Sequence, residues 1–352
     1  MPDPHDLKRA GIEATNLEFS AYEQVDKPQC YHLAEVPTDS FDENYNLPLC
    51  SLESPTDEFA AQLGGSLADI GFAIVTDTGI DPSLYRDADA RVRAVFSEPD
   101  QVKQKYAAHR HGAVNQGYFP FEGTSEIHPD LVEGWVFCRR AFNFAGDPAF
   151  DPTQFWPAAS YELGFRHLVA AHVALCLPLM QAMLRYLGTP PHTFDHLLTD
   201  PSLGLRLNYY PPVRPEQFAS GAGRLLGHED VNLFTILPAP TIEGLQVFNR
   251  ATGRWIRLSA PPGSIIVNTG DYMQRLTGDR LPSTTHRVAP PRDPDVRRQV
   301  RTSYPLNIYL PEEVMLEQLP GLGPPRYPPI RALDFHTQIT AKFYGDDYAV
   351  TS

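Results

Sequence analysis

The sequence is poor in cysteine, in positive charge and in long apolar runs, and each shortage excludes something. Its four cysteines stand at positions 30, 50, 138 and 176, with no CxxC among them. That spacing builds neither a disulfide framework nor a zinc knuckle. Twenty-nine Lys and Arg face 43 Asp and Glu, for a formal net charge of -14. A nucleic-acid binder needs a basic footprint, so that class is set aside. The longest mostly apolar run, Val173 to Leu184, is a dozen residues, short of the ~20 that cross a bilayer. Met1-Pro2-Asp3-Pro4-His5-Asp6 has no basic segment leading into an apolar one, so no signal peptide is expected. The expectation is a reduced, cytoplasmic chain with neither membrane nor nucleic acid as partner.

Apolar residues make up 42% of the 352, enough for a large core. The 35 prolines are scattered rather than clustered, which favours loops and short strands over a helical bundle. Residues 1–47 are polar and irregular and are expected to form an N-terminal arm. Residues 48–199 read as mixed helix and strand. Phe59, Leu63 and Leu67 predict a helix over Thr56–Asp69. Gly71 to Thr76 reads as a buried strand, and Asp81-Pro82 as a helix start. Lys103 to His111 forms a small basic patch, expected to be solvated surface. Asn115–Phe121 and Glu133–Arg139 read as strands. Tyr161–Leu187 is the longest predicted helix, with a kink expected at Pro178. His167 and His172 on it are five apart, a poor ligand spacing, and are expected at the surface or satisfied in the core.

From residue 200 to 312 the texture changes to short strands parted by Gly, Pro and Asn turns. The expected strands are Leu205–Tyr210, Leu233–Leu237, Leu245–Phe248, Trp255–Leu258, Ile265–Asn268, Arg287–Val288 and Tyr304–Leu310. That spacing predicts a double-sheet barrel or jelly roll. The fold class is therefore mainly β with flanking helices: a double-stranded β-helix core and a helical N-terminal region. A tail follows from 313 to 352, with a helix at Asp334–Tyr344 expected across the barrel mouth.

The chemistry gathers between Leu226 and Ser303. His228 and Asp230 are two apart, and a strand sends such residues to one face. His286 is a third ligand candidate. Two imidazoles and one carboxylate leave three positions open on an octahedral metal, which suits non-haem Fe(II) that must bind a co-substrate and dioxygen. Arg301 and Ser303 share a face by the same period, a planar fork with one more donor for a carboxylate. Arg301 lies 15 residues past His286, a distance that suits an adjacent strand. Asn208 and Tyr210 share a face upstream, and a tyrosine hydroxyl is a good donor to a carboxylate.

Six ordered segments carry a resemblance: Leu207-Asn208-Tyr209-Tyr210-Pro211-Pro212, Gly227-His228-Glu229-Asp230, Gly244-Leu245-Gln246-Val247, the run Pro262 to Asp271, His286-Arg287-Val288 and Arg301-Thr302-Ser303. With Gly71-Phe72, the Asp77-Thr78-Gly79-Ile80 turn and Gly117-Tyr118 upstream, the chain from Leu47 to Leu310 resembles the isopenicillin N synthase-like branch of the Fe(II)/2-oxoglutarate-dependent dioxygenases. The resemblance implies that His228, Asp230 and His286 hold iron. It implies that Arg301, Ser303 and Tyr210 hold the distal carboxylate of 2-oxoglutarate, with Asn208 on the co-substrate side of the metal. The implied activity is an oxidoreductase's, using dioxygen on an unactivated C–H bond of a small molecule, in secondary or amino-acid-derived metabolism. Hydroxylation, desaturation and ring closure all stay open.

Some features depart from the family pattern. Glu229 occupies a position that more often carries a small or polar residue, and alternation points it away from the metal. Val231-Asn232-Leu233 lacks the common glycine. The segment from Pro290 to Asp295 lengthens the His286–Arg301 interval and is expected to extend a hairpin. Two alternatives stand beside the main one: an iron oxidase of the same fold without 2-oxoglutarate, and a non-redox barrel stabilised by zinc. For the substrate cavity, Tyr118, Phe119, Trp135, Phe137, Phe234, Tyr272 and Arg275 are candidates, and Arg275 and Arg287 would suit an acidic substrate.

Overall fold

The structure, a computed structural model, describes residues 35, 38–111, 114–121, 131–212 and 223–344. Most of the expected arm over 1–47, and the tail beyond 344, lie outside them.

The N-terminal half begins with β1 (Leu49–Ser51) and α1 (Thr56–Ile70). Gly71 caps α1 in the left-handed conformation, at φ 71°, its N–H bonding to the Leu67 carbonyl. It turns the chain into β2 (Phe72–Thr76). Asp81 then caps α2 (Pro82–Phe96) by accepting from the Ser83 N–H, with Pro82 in the first turn as expected. The strands β3 (His109–His111), β4 (Val114–Phe119) and β5 (Glu133–Cys138) form a meander. Lys103 from the basic patch is not solvated: it is 4% exposed and paired with Glu133 at 2.7 Å. The long helix α3 (Ala159–Tyr186) runs on unbroken through Pro178.

α3 is the one described helix long and apolar enough to cross a membrane by length and composition. The dozen-residue run noted in the sequence understated it, because the helix gathers apolar residues on both sides of that run. Phe165, Leu168, Val169, Leu179 and Met183 are buried in the protein core. His172 faces that core beside Tyr85, whereas His167 is exposed.

The second half supplies β6 (Ser202–Tyr210), β7 (Leu225–His228), β8 (Phe234–Pro238), β9 (Leu245–Asn249), β10 (Arg254–Arg257), β11 (Ile265–Thr269), α4 (Asp271–Leu276), β12 (His286–Val288), β13 (Arg301–Ser303), β14 (Leu306–Tyr309) and α5 (Ala332–Tyr344). The larger sheet has the order β1-β2-β11-β8-β14-β6-β5-β4-β3, with β13 also on β6. The smaller has the order β10-β9-β12-β7. These are the two sheets of a jelly roll with flanking helices, as the strand spacing predicts.

Period-2 alternation decides what each face of the larger sheet does. Leu203, Leu205 and Leu207 of β6, Phe234 and Ile236 of β8, Val267 of β11, and Leu306 and Ile308 of β14 join the core that includes the helices. Their alternates Arg206, Asn208, Tyr210, Thr235, Asn268 and Asn307 line a cavity between the sheets. The strands are thus buried on both faces, apolar towards the helices and polar towards the cavity.

The smaller sheet is covered outside by residues before β1. Arg287 bonds Asp39 and Gln246, each at 2.7 Å, and lies 3.8 Å over the Trp255 ring. Arg257 pairs with Glu35 and Glu43. Arg287 therefore points away from the cavity and is no substrate contact, because His286 and Val288 on either side take the inner face.

Candidate metal and co-substrate site

The site is built where β7 and β12 pair. His228 and His286 are directly opposite each other in that antiparallel register, and their rings lie 4.3 Å apart. Asp230 follows just past the end of β7, and its Oδ1 stands 3.7 Å from His228 Nε2 and 3.8 Å from His286 Nε2. One ligand atom from each of the three lies within 4.8 Å of the others, a spacing that could hold one metal ion.

The atoms turned away from that point are occupied. Nδ1 of His228 meets the Leu226 carbonyl at 2.8 Å, and Nδ1 of His286 meets the Thr284 carbonyl at 3.0 Å. Each carbonyl takes a proton on Nδ1 and leaves Nε2 as a lone-pair donor. The Asp230 Oδ2 accepts from Thr235 Oγ1 at 2.5 Å and from Asn268 Nδ2 at 2.8 Å, which leaves Oδ1 for the metal. Burial acts to raise the Asp230 carboxyl, but His286, His228 and these two bonds outweigh it and hold it below its usual range. Burial first, then the neighbouring His286, pushes His228 down, so it stays neutral and able to ligate. The donor set fits a divalent iron, and among the described residues no fourth His, Cys, Asp or Glu joins it. A closed structural zinc site wants four.

The second group is held by β6 and β13. Arg301 pairs with Tyr210 in register, and Ser303 with Asn208. The Arg301 guanidinium is 1% exposed and lies 4.8 Å over the Tyr210 ring. Its Nε bonds the Ile242 carbonyl at 3.1 Å, while its Nη1 has no partner among the described residues. Asn208 Nδ2 donates to Ser303 Oγ at 3.3 Å. A buried, unsatisfied fork beside hydroxyls and an amide is what a carboxylate would complete.

All seven residues named from the sequence line one cavity of about 190 Å³, which admits small molecules. Three expectations need correction. The candidates Tyr118, Trp135, Phe137, Phe234 and Tyr272 belong to the core, and Phe119 is not on the cavity wall. The five core candidates sit on the helix-facing side of their strands or in helices behind them. Arg275 bonds the Pro328 carbonyl and lies against Tyr327 and Phe335, away from the cavity. The Pro290–Asp295 segment is no hairpin. It crosses from the smaller sheet to the larger one and carries a helical turn at Pro294–Arg297, so β13 is not β12's neighbour. Glu229 meets the cavity edge but is tied back by Thr285 Oγ1 at 2.6 Å.

Several cavity residues escaped the sequence reading. Arg206 was within reach of it: it sits two residues before Asn208 on the same strand face. Thr235, Asn268 and Asn307 carried no such signal. His336 lines the cavity from α5, its Nδ1 3.2 Å from the Tyr272 hydroxyl, so the C-terminal helix does reach the cavity.

The comparisons with known proteins agree with this geometry. The profile of the 2OG-Fe(II) oxygenase superfamily matches residues 201–306, and that of the non-haem dioxygenase in morphine synthesis N-terminal region matches 47–159. The 2-oxoglutarate-Fe(II) type oxidoreductase ppzC of Metarhizium majus is 32% identical over 65% of this chain and 67% of its own length. The chain belongs to the 2OG-Fe(II) oxygenase superfamily. This oxygenase is also 30% identical to the 2-oxoglutarate-dependent dioxygenase citB of Monascus ruber, over 62% of this chain and 70% of citB. A 2OG-Fe(II) oxygenase family protein from Caulobacter crescentus superposes with a TM-score of 0.70 at 28% identity, covering 84% of this chain and 99% of its own. A Neurospora crassa protein solved in complex with alpha-KG and thymine shares the fold, with a TM-score of 0.74 at 23% identity over 88% of this chain and all of its own. The oxygenase is thus an Fe(II)- and 2-oxoglutarate-dependent oxidoreductase.

Proposed function

We propose that His228, Asp230 and His286 hold Fe(II), and that Arg301, Ser303, Tyr210 and Asn208 receive 2-oxoglutarate, for attack on an unactivated C–H bond of a small molecule. One observation carries this: a three-ligand metal site and a buried guanidinium with an unpaired Nη1 share one cavity. When bound, iron, 2-oxoglutarate and dioxygen supply oxidative decarboxylation to succinate and CO2, coupled to oxidation of the substrate. The protein's own residues position and exclude water. Thr235 and Asn268 fix the Asp230 carboxylate, the Leu226 and Thr284 carbonyls fix the two imidazoles, and Phe72 packs edge-on against His286 at 5.3 Å.

Arg206 supports an acidic or carbonyl-bearing substrate. It lines the cavity, its Nε is used by Asn208 at 2.9 Å, and it has no carboxylate partner among the described residues. The placement in secondary metabolism is supported by the fungal relatives, one of which, the proline hydroxylase buaE of Petromyces alliaceus, is 29% identical.

Anaerobic addition of Fe(II) and 2-oxoglutarate is expected to give a weak visible charge-transfer band. Admission of oxygen with a substrate is expected to release succinate. Turnover in buffer free of 2-oxoglutarate, with no band, would overturn the assignment in favour of an oxidase of the same fold.

A further inference from the structure

Within the segment that departs from the family pattern, Val231-Asn232-Leu233, a polar side chain is buried. Asn232 is 1% exposed and stands two residues past Asp230. Gly270 makes room for it: a Cβ there would fall 2.2 Å from Asn232 Oδ1 and 2.4 Å from the Asn232 carbonyl oxygen. A buried amide costs free energy unless its protons are taken up. Asn232 Nδ2 donates to Thr235 Oγ1 at 2.8 Å and to Asn307 Oδ1 at 2.7 Å. The partners fix this orientation. Asn307 Nδ2 reaches the Gly204 carbonyl at 3.4 Å, and a carbonyl can only accept, so Asn307 turns its oxygen towards Asn232 and Thr235. Asn232 then has to bring its amino group.

The Thr235 hydroxyl has one proton and two acceptors in reach: Asp230 Oδ2 at 2.5 Å and Asn307 Oδ1 at 3.1 Å. Asn232 tips the choice. One of its amide hydrogens occupies Asn307 Oδ1, and the other is given to the Thr235 oxygen. The Thr235 proton is left for Asp230. A hydroxyl that accepts a hydrogen bond is also polarised, which strengthens the bond it donates. Asn307 lines the cavity, so an unbroken chain of hydrogen bonds runs from the cavity wall to the Asp230 oxygen turned away from the metal.

We propose that Asn232 is a positioning residue for the Fe(II) site. With Asn307 it commits the Thr235 hydroxyl to Asp230 Oδ2 and so keeps Asp230 Oδ1 aimed at the metal. The inference rests on Asp230 being an iron ligand. Asn232 acts on the metal only through Thr235, and that route separates it from a residue that fills space.

The test measures Fe(II) affinity of the full chain, without oxygen, by competition with a chelator. The melting temperature of the iron-free protein is read alongside. Asn232→Ala is expected to weaken Fe(II) binding about tenfold. In a Thr235→Val background the same substitution is expected to change Fe(II) affinity less than about twofold, because the hydroxyl it orients is gone. Should Asn232→Ala not fold, Asn232→Ser, too short to bridge both partners, is read in the same two backgrounds. A folded variant that holds Fe(II) as wild type does would overturn the proposal. So would an equal loss of Fe(II) affinity in both backgrounds, which would make Asn232 a packing residue. The ligand assignment fails separately. If wild type binds no Fe(II), or Asp230→Ala binds it as well as wild type does, that assignment falls and takes this inference with it. If Asp230→Ala loses Fe(II) and Asn232→Ala keeps it, only this inference falls.

Discussion

The two ends of the site are finished differently. At the metal end every atom not aimed at the ion already has a partner: two imidazole Nδ1 atoms on carbonyls, one carboxylate oxygen on a hydroxyl and an amide. At the carboxylate end Arg301 is buried, and its Nη1 has no partner among the described residues. The first end is preorganised, with geometry fixed before the ion arrives. The second presents a buried donor that an anion would satisfy. Fixed geometry favours a particular metal, whereas unsatisfied positive charge favours a particular charge state of the ligand.

Substitutions sharpen or break this contrast, and the largest effect falls on the metal end. Asp230→Ala removes the only carboxylate of the three proposed ligands and is expected to cut succinate formation by roughly a thousandfold or more, measured alongside Fe(II) content. Arg301→Met is expected to raise the KM for 2-oxoglutarate on the order of a hundredfold by removing a buried, charge-assisted contact, with Fe(II) retention unchanged. A loss of iron in that variant would erase the distinction between the two ends. Thr235→Val keeps the shape but drops a bond to Asp230 Oδ2, and Fe(II) affinity is expected to fall ~10–100-fold by competition with a chelator.

Two smaller effects concern the frame. Gly71→Ala places a Cβ 2.6 Å from both the Pro282 carbonyl and Thr284 Oγ1, at a φ of 71°. Its expected cost is about 1–3 kcal/mol of stability in a denaturant melt, with weaker Fe(II) binding because the Thr284 carbonyl orients His286. The last concerns His172, which burial pushes down to about 3. Its folded form stays neutral where the unfolded chain takes up a proton, so stability is full above about pH 6.5 and is lost as pH falls from there towards 3. His172→Gln is expected to remove up to ~1.4 kcal/mol per pH unit of that slope, seen in melts between pH 6 and 4.

Legibility in the sequence followed the periods. Pro82 after Asp81, the α1 apolar repeat and most strands from Leu205 onward read directly, because caps and alternation are local, whereas β7 and β13 were not among the expected strands. The grouping of His228, Asp230 and His286 was legible from residue type and order. The substrate-cavity candidates failed for a shared reason. Aromatic residues in strands mark a buried face, and in this protein both faces of the larger sheet are buried. Trp135 and Phe234 took the helix side, and the polar alternates took the cavity. Arg287 misled for the same reason in the smaller sheet, where Asp39 claims its guanidinium.

The sequence by itself determined the elements, the ligand types and the pairing of side chains two residues apart, since those depend only on neighbours along the chain. Tertiary structure decided which strands meet. It set His286 against His228, and it carried the chain across between sheets so that Arg301 lies on Tyr210 instead of beside β12. It also brought the Ile242 carbonyl to Arg301 Nε, far along the chain. A burial penalty and an unsatisfied donor exist only once the fold has placed a group out of water, and no local pattern records them.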